Sequence, residues 1–253
     1  MLPGIEPKDP ASRGAVIAFV GSEAAGKTTI VGAVHDWLRD AFEVQVIHAG
    51  KPPRTRLTAV PHLLLPGLRI LFPNDRSTIV QARYEKADEA VHKAYSLLFA
   101  LRAVMLAYER RALLAHASAA AARGAVVLSD RYPSSGSGTA DGPQMADRPA
   151  PTGRISLRRA LCRLESRVYR RIPGPDLVIE LTSPLEVTLA RNAARAKREP
   201  EDYVRLRHSI ASRVRFENVT VHRIDTNLPL ASVLSEVRRA VQDFLRIQVG
   251  SRT

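Results

Sequence analysis

The run Ala15-Val16-Ile17-Ala18-Phe19-Val20, followed at once by Gly21-Ser22-Glu23-Ala24-Ala25-Gly26-Lys27-Thr28, decides the fold. A short, nearly all-apolar run reads as a strand buried on both faces. The residues after it match the spacing G-x-x-x-x-G-K-T. From Thr28 to about Phe42, Ile30, Val31, Val34, Trp37 and Leu38 then recur at helical spacing. Strand, glycine-bounded loop and helix in that order are the context in which this spacing builds a phosphate cradle. Gly21 and Gly26 permit backbone angles that turn successive N–H groups inward. The helix N-terminus adds a partial positive charge. In such a cradle Lys27 reaches the β- and γ-phosphates of a nucleoside triphosphate, and the Thr28 hydroxyl faces magnesium.

Working outward, Glu43 to His48 reads as a second strand, stopped by Gly50-Lys51-Pro52-Pro53-Arg54. Residues 52–79 are proline-punctuated, apolar and basic, with no clean period, and read as an irregular segment covering a site. Residues 80–122 read as long helix, in two pieces or with a kink, ended by Gly124. Ala125 to Ser129 is a third buried-type strand leading into Asp130-Arg131-Tyr132-Pro133. The Ser-, Gly- and Pro-rich residues 134–153 read as a mobile loop, and a helix spans roughly 155–171. Leu177 to Leu181 is a fourth strand. Ser183 is the expected N-cap and Pro184 the first turn of a helix running through Arg195. After the charged stretch Arg195 to Pro200 a helix resumes near Glu201. Val219 to Ile224 is a final strand, and Leu230 to Ile247 a closing amphipathic helix. Alternating strands and helices predict an α/β, three-layer P-loop NTPase fold with a five-stranded parallel sheet flanked by helices. The expected organisation is a loose leader over 1–14 and a single domain over 15–248. Within it, 52–79 is an acceptor-side insertion and 191–201 a LID.

The formal net charge is +13, and only six of the 38 Lys and Arg residues are lysine. Arginine suits bidentate phosphate and carboxylate recognition, so the charge implies an anionic partner or a composition bias of the source genome. One cysteine, Cys162, precludes an internal disulfide and points to a reducing cytoplasm. The first fourteen residues have no apolar signal core, and no run reaches the ~18 apolar residues of a membrane span. Aromatics are 5% of residues, and no basic stripe is interleaved with them. That argues against a nucleic-acid partner. The basic, leucine-rich 52–79 segment fits a pocket lid or a membrane-peripheral docking element.

Several motifs in order resemble the thymidylate kinase family of P-loop nucleoside and nucleotide kinases. They are Glu23 two places after the first loop glycine, Leu97-Leu98-Phe99-Ala100-Leu101-Arg102 on a helix, and Ser129-Asp130-Arg131-Tyr132 at the third strand's end. Pro175-Asp176-Leu177-Val178-Ile179 with Pro184-Leu185-Glu186-Val187 follows, then the basic run Arg191, Arg195, Lys197 and Arg198, and last Ile224-Asp225. The match covers about residues 15–228. It departs after the second strand, where His48-Ala49-Gly50-Lys51-Pro52-Pro53-Arg54 replaces the family's Arg-Glu-Pro-Gly-Gly-type segment.

The resemblance implies an ATP- and magnesium-dependent phosphotransferase, often dimeric, that moves the γ-phosphate to a small-molecule acceptor. A nucleoside monophosphate leads as acceptor, with a sugar or other hydroxyl compound as the alternative. A nucleotide-binding regulatory or nucleic-acid-associated P-loop module without kinase activity is the rival class. Gly21, Ser22, Ala24, Ala25, Gly26, Lys27, Thr28 and Thr29 would hold the nucleotide, with Arg191 and Arg195 closing over it. Thr28 and Asp130 would serve magnesium. Lys27, Glu23, Asp130, Arg191 and Arg195 are the candidate catalytic residues. Glu23 or Asp130 becomes the general base if the acceptor is an alcohol. Glu23, Lys51, Arg54, Arg102, Arg131 and Tyr132 are the acceptor candidates. Arg131 would bind acceptor phosphate or pair with a carboxylate.

Overall fold

The protein is described by a computed structural model over residues 13–55, 58, 97–134, 141–146, 157–196, 198–211 and 214–250, with side chains to 246. The strands are β1 (Ala15–Gly21), β2 (Val44–His48), β3 (Val126–Asp130), β4 (Leu177–Thr182) and β5 (Thr220–Asp225). The helices are α1 (Lys27–Leu38), α2 (Leu97–Ala122), α3 (Leu157–Tyr169), α4 (Leu185–Ala193), α5 (Glu201–Ala211) and α6 (Leu230–Gly250). The five strands form one sheet, ordered β2-β3-β1-β4-β5 and parallel throughout. This is the three-layer P-loop NTPase fold that the sequence predicts.

β1 is central because it carries apolar side chains to both faces. Ala15, Ile17 and Phe19 join Ile30, Val34 and Leu38 of α1 and Val237 and Val241 of α6 in one core. Val16, Ala18 and Val20 pack on the other face with Leu114, Ala117 and Ala121 of α2. The small residues of α2 let that helix lie close against the sheet. A third cluster joins Phe99 and Ala103 of α2 to Leu161 of α3 and Met145. Among the described residues no helix is long and apolar enough to cross a membrane.

The sheet register gathers the functional candidates at one edge. Phe19 pairs with Asp130, Gly21 with Leu181, and Thr182 with Asp225. The carboxyl ends of these strands therefore open into the crevice where ligands of such sheets bind.

Several boundaries differ from expectation. α1 stops at Leu38, and the N–H groups of Ala41 and Phe42 turn back onto the Leu38 carbonyl. Pro184, not Ser183, occupies the N-cap position of α4, with no side-chain cap bond. The Ser183 hydroxyl pairs instead with that of Thr188 at 2.9 Å. α4 ends at Ala193, so Arg195 lies beyond the helix and does not share a helical face with Arg191. Asp141 to Ala146 is irregular but not loose. Met145 is 1% exposed, and the fully buried Glu165 carboxylate accepts the N–H groups of Gln144 and Met145 at 2.8 and 3.0 Å. At the end of the leader, Arg13 pairs with Asp176 at 3.2 Å, while residues 1–12 lie outside the described residues. Most of 52–79 and of 80–96 also lies outside them.

Gly21 closes β1 at φ 142°, and a Cβ there would sit 2.2 Å from the Leu181 carbonyl oxygen. Gly21→Ala combines backbone strain with overpacking and should destabilise the protein by about 2 kcal/mol or more. The readout is the urea midpoint. An unshifted midpoint would mean that the chain leaves β1 by another path.

Candidate functional site

The loop between β1 and α1 is shaped by its own lysine. Lys27 is 6% exposed, and its ammonium donates to the carbonyls of Gly21 at 3.2 Å and Ser22 at 2.5 Å. Ala24 and Gly26 take positive φ values of 56° and 85°. Burial lowers the Lys27 pKa from 10.5 to about 8, helped by the nearby Arg131 and Arg207 and opposed by Glu23 and Asp130. A polyphosphate placed against the loop would reverse that shift, because an anion favours the charged ammonium.

Thr28 begins α1 beside the end of β3. Its hydroxyl donates to Asp130 Oδ2 at 2.8 Å. Asp130 Oδ1 is buried with no hydrogen-bond partner. A buried carboxylate oxygen left without a partner costs about 1–3 kcal/mol or more, so this atom calls for a cation. Hydroxyl and carboxylate oxygens suit a hard ion such as Mg²⁺, which is commonly held by one or two carboxylates plus substrate phosphates. Among the described residues no three His, Cys, Asp or Glu side chains form a self-sufficient metal cage. The residues therefore fit magnesium delivered with a phosphate.

On one side of the loop a cleft of about 300 Å³ is lined by Ala24, Ala25, Gly26, Thr29, Arg191, Arg195, Thr226, Leu228 and Leu230, among others. Arg191 Nη2 donates to the Thr226 carbonyl at 2.6 Å and Nη1 to its hydroxyl at 3.2 Å. The Thr226 hydroxyl in turn donates to the Thr182 carbonyl at 2.9 Å. The guanidinium is thus fixed to the turn after β5. Leu228 and Leu230 present apolar surface, 48% and 53% exposed. The Asn192 side chain closes the following stretch by bonding both the carbonyl and the N–H of Glu199. Arg195 and Arg198 are exposed, and Lys197 lies outside the described residues.

On the other side stands a charge network. Arg131 Nη2 donates to Glu23 Oε1 at 2.6 Å, and Nη1 to Asp141 Oδ2 at 3.5 Å. Arg207 Nη2 lies 3.2 Å from the same Glu23 oxygen and 3.9 Å from Asp141 Oδ2. Arg110, 2% exposed on α2, donates to Asp141 Oδ1 at 3.2 Å, to the Asp141 and Ala49 carbonyls, and to the Tyr169 hydroxyl. Arg131 itself takes φ 73°, with its carbonyl accepting the Ser129 hydroxyl at 2.7 Å. Its path depends on Gly50, where a Cβ would come 2.4 Å from Arg131 Cδ. Burial would raise the Glu23 pKa, but Arg131 and Arg207 overcome it and bring the carboxyl from 4.5 down to about 2. Asp141 is likewise held below its ordinary range by Arg131, Arg110 and Arg207 against the effect of burial. Asp141 and Glu23 raise Arg131 in return, again against burial.

No known protein-family model matches the chain. Over 232 residues it is 25% identical to the uncharacterized ATP-binding protein YghR of Escherichia coli (strain K12), covering 89% of this chain and 86% of that protein. The figures for YghR of Escherichia coli O6:H1 are the same. Among solved structures, deoxyadenosine kinase from M. mycoides with bound dATP gives a TM-score of 0.49 at 12% identity, covering 89% of this chain and 98% of that one.

The sequence-derived candidates divide three ways. Gly21, Ser22, Ala24, Ala25, Gly26, Lys27, Thr28, Thr29, Asp130, Arg191 and Arg195 come together around the loop. Glu23 and Arg131 meet as a pair. The Tyr132 ring packs in the core and its hydroxyl donates to the Pro173 carbonyl at 2.6 Å, while the residue also borders the small space beside Arg131 and Arg207. Lys51 and Arg54 are exposed beyond β2. Among the described residues, the α2 arginine that pairs with Asp141 is Arg110, two turns beyond Arg102. Arg110, Asp141 and Arg207 were not singled out from the sequence. Asp141 lies in a Ser- and Gly-rich run, and the two arginines lie in helices already full of arginine.

The Glu23 shift has a definite sign. With a folded pKa of about 2 against 4.5, its pairing stabilises the fold above pH 4.5, and that contribution is lost as pH falls toward 2. The full contribution is about 3 kcal/mol. Glu23→Gln should therefore cost about that much at neutral pH, with the gap to wild type closing below pH 4.5. Urea unfolding at several pH values measures this. A pH-independent gap would contradict the assignment.

Proposed function

We propose that this protein is a magnesium-dependent, ATP-binding phosphotransferase that moves a γ-phosphate to a small-molecule acceptor. The observation that carries the reading is Asp130, with one oxygen on the Thr28 hydroxyl and the other buried without a partner, beside a lysine-closed strand-to-helix loop. A phosphate loop needs the amides and the lysine; the waiting oxygens are what a bound magnesium would require. The ordered resemblance to thymidylate kinase-like enzymes supports the same reading, as does the 25% identity to an ATP-binding protein.

In this reading the amides at the start of α1 and the Lys27 ammonium hold the β- and γ-phosphates. The fixed Arg191 guanidinium and Leu228 form a flat platform for the nucleobase. Thr28 and Asp130 would hold a magnesium ion, which would supply charge neutralisation at the phosphates. Arg195, exposed at the cleft mouth, swings onto the transferring group and stabilises its developing charge. Phosphoryl transfer asks mainly for this positioning and electrostatic support.

Lys27→Ala should weaken Mg·ATP binding at least about 100-fold by calorimetry, because it removes a ligand and also opens the loop. Unchanged affinity would defeat the reading. Arg195→Ala should lower turnover by about 10³ while leaving ATP affinity within a few-fold. Equal losses in both would assign it to binding instead.

A further inference from the structure

The reading just given leaves the acceptor open, and the side of the loop away from the Arg191 cleft bears on it. Two carboxylates stand there. Arg131 divides its two terminal nitrogens between Glu23 and Asp141. Arg207 adds a second guanidinium to the same Glu23 oxygen. Arg110 covers the other Asp141 oxygen and turns its remaining donors to Tyr169 and backbone carbonyls. The space bordered by Gly21, Arg131, Asp141 and Arg207 is about 30 Å³, room for one or two water-sized groups.

A phosphate group is recognised by guanidinium donors free to form paired bonds with it. Here both terminal nitrogens of Arg131, and Nη2 of Arg207, already face carboxylates. A phosphomonoester would have to expel a carboxylate from its arginine and then lie against it as a like charge, which is strongly disfavoured. An alcohol meets neither obstacle. The geometry points to a neutral hydroxyl compound, not a phosphomonoester, as the acceptor at this site. The inference rests on the phosphotransferase reading above, and it departs from the nucleoside monophosphate that the sequence resemblance puts first.

Glu23 then has a defined part. Both of its ion pairs are on Oε1, and Oε2 has no hydrogen-bond partner among the described residues. Oε2 is the atom left to accept a bond from the alcohol. In the transfer, the alcohol oxygen forms a bond to the γ-phosphorus. The bond from that phosphorus to the bridging oxygen breaks, and its electron pair leaves on ADP. The hydroxyl proton passes to Glu23 Oε2 and on to water. It moves late, once bond formation has made the oxygen acidic, which suits so weakly basic a carboxylate. Asp141 stays paired and acts as a positioning residue through Arg131.

The test begins with protein loaded with Mg²⁺ and a non-hydrolysable ATP analogue, followed by calorimetry. Failure to bind the analogue would sink the phosphotransferase reading and this inference with it. Inorganic phosphate is then titrated into the loaded protein, whose γ-phosphate position is already filled. No saturable binding is expected up to about 10 mM. Glu23→Gln and Asp141→Asn each release guanidinium donors by a separate route. Each is expected to bring in phosphate binding at least about tenfold below that limit. In turnover with Mg·ATP, nucleosides and sugars are each paired with their own phosphate esters, and the alcohols should react at least about tenfold faster. Three results would overturn the inference: wild-type phosphate binding that Arg131→Gln abolishes, faster transfer onto a phosphate ester to give a diphosphate, or folded variants that gain no phosphate affinity.

Discussion

Lys27 donates its charge to the chain's own backbone. By bonding the Gly21 and Ser22 carbonyls it closes the loop between β1 and α1. The loop can hold this shape because β1 beneath it is anchored on both sides, by β3 and by β4. A buried parallel strand whose end is tied by a lysine gives the amides at the start of α1 a fixed direction. Preorganisation of this kind is what electrostatic catalysis requires, since donors that need not reorient incur no reorganisation cost during reaction.

The two sides of that loop differ in how their positive charge is balanced. Toward the cleft, Arg191 is held by a neutral carbonyl and a hydroxyl, so its charge stays available to an anion or a ring face. Toward Glu23, three arginines share two carboxylates. A high overall positive charge says nothing of this division. Some of the arginines that make the chain basic are cancelled inside it, and the number available to a partner is smaller than composition implies.

This explains how far the site could be read from sequence. The inner strands were legible because a strand buried on both faces leaves a continuous apolar run, as Ala15–Val20 and Val126–Leu128 do; the edge strands β2 and β5 are largely exposed and carry no such run. The phosphate loop was legible because its glycines and Lys27 have fixed spacing. Helix ends were read less well: α1 and α4 stop where backbone groups find other partners, and neither stop is marked by a glycine. The charge network was only half visible. Glu23 and Arg131 sit inside recognisable motifs, but their partners Arg110, Arg207 and Asp141 owe their roles to tertiary approach alone. A buried arginine in a helix has the same letters around it as an exposed one.

Glu165 lies outside the site, yet both of its oxygens hold the backbone of Gln144 and Met145, just downstream of Asp141. A bidentate clamp of this kind resists sliding and rotation together. The stance of Asp141, and through it of Arg131, is therefore shaped by a side chain on α3. Sequence drift at residue 165 would be felt in the Arg131–Asp141 pairing, and the effect of any change at residue 141 would depend on what stands there.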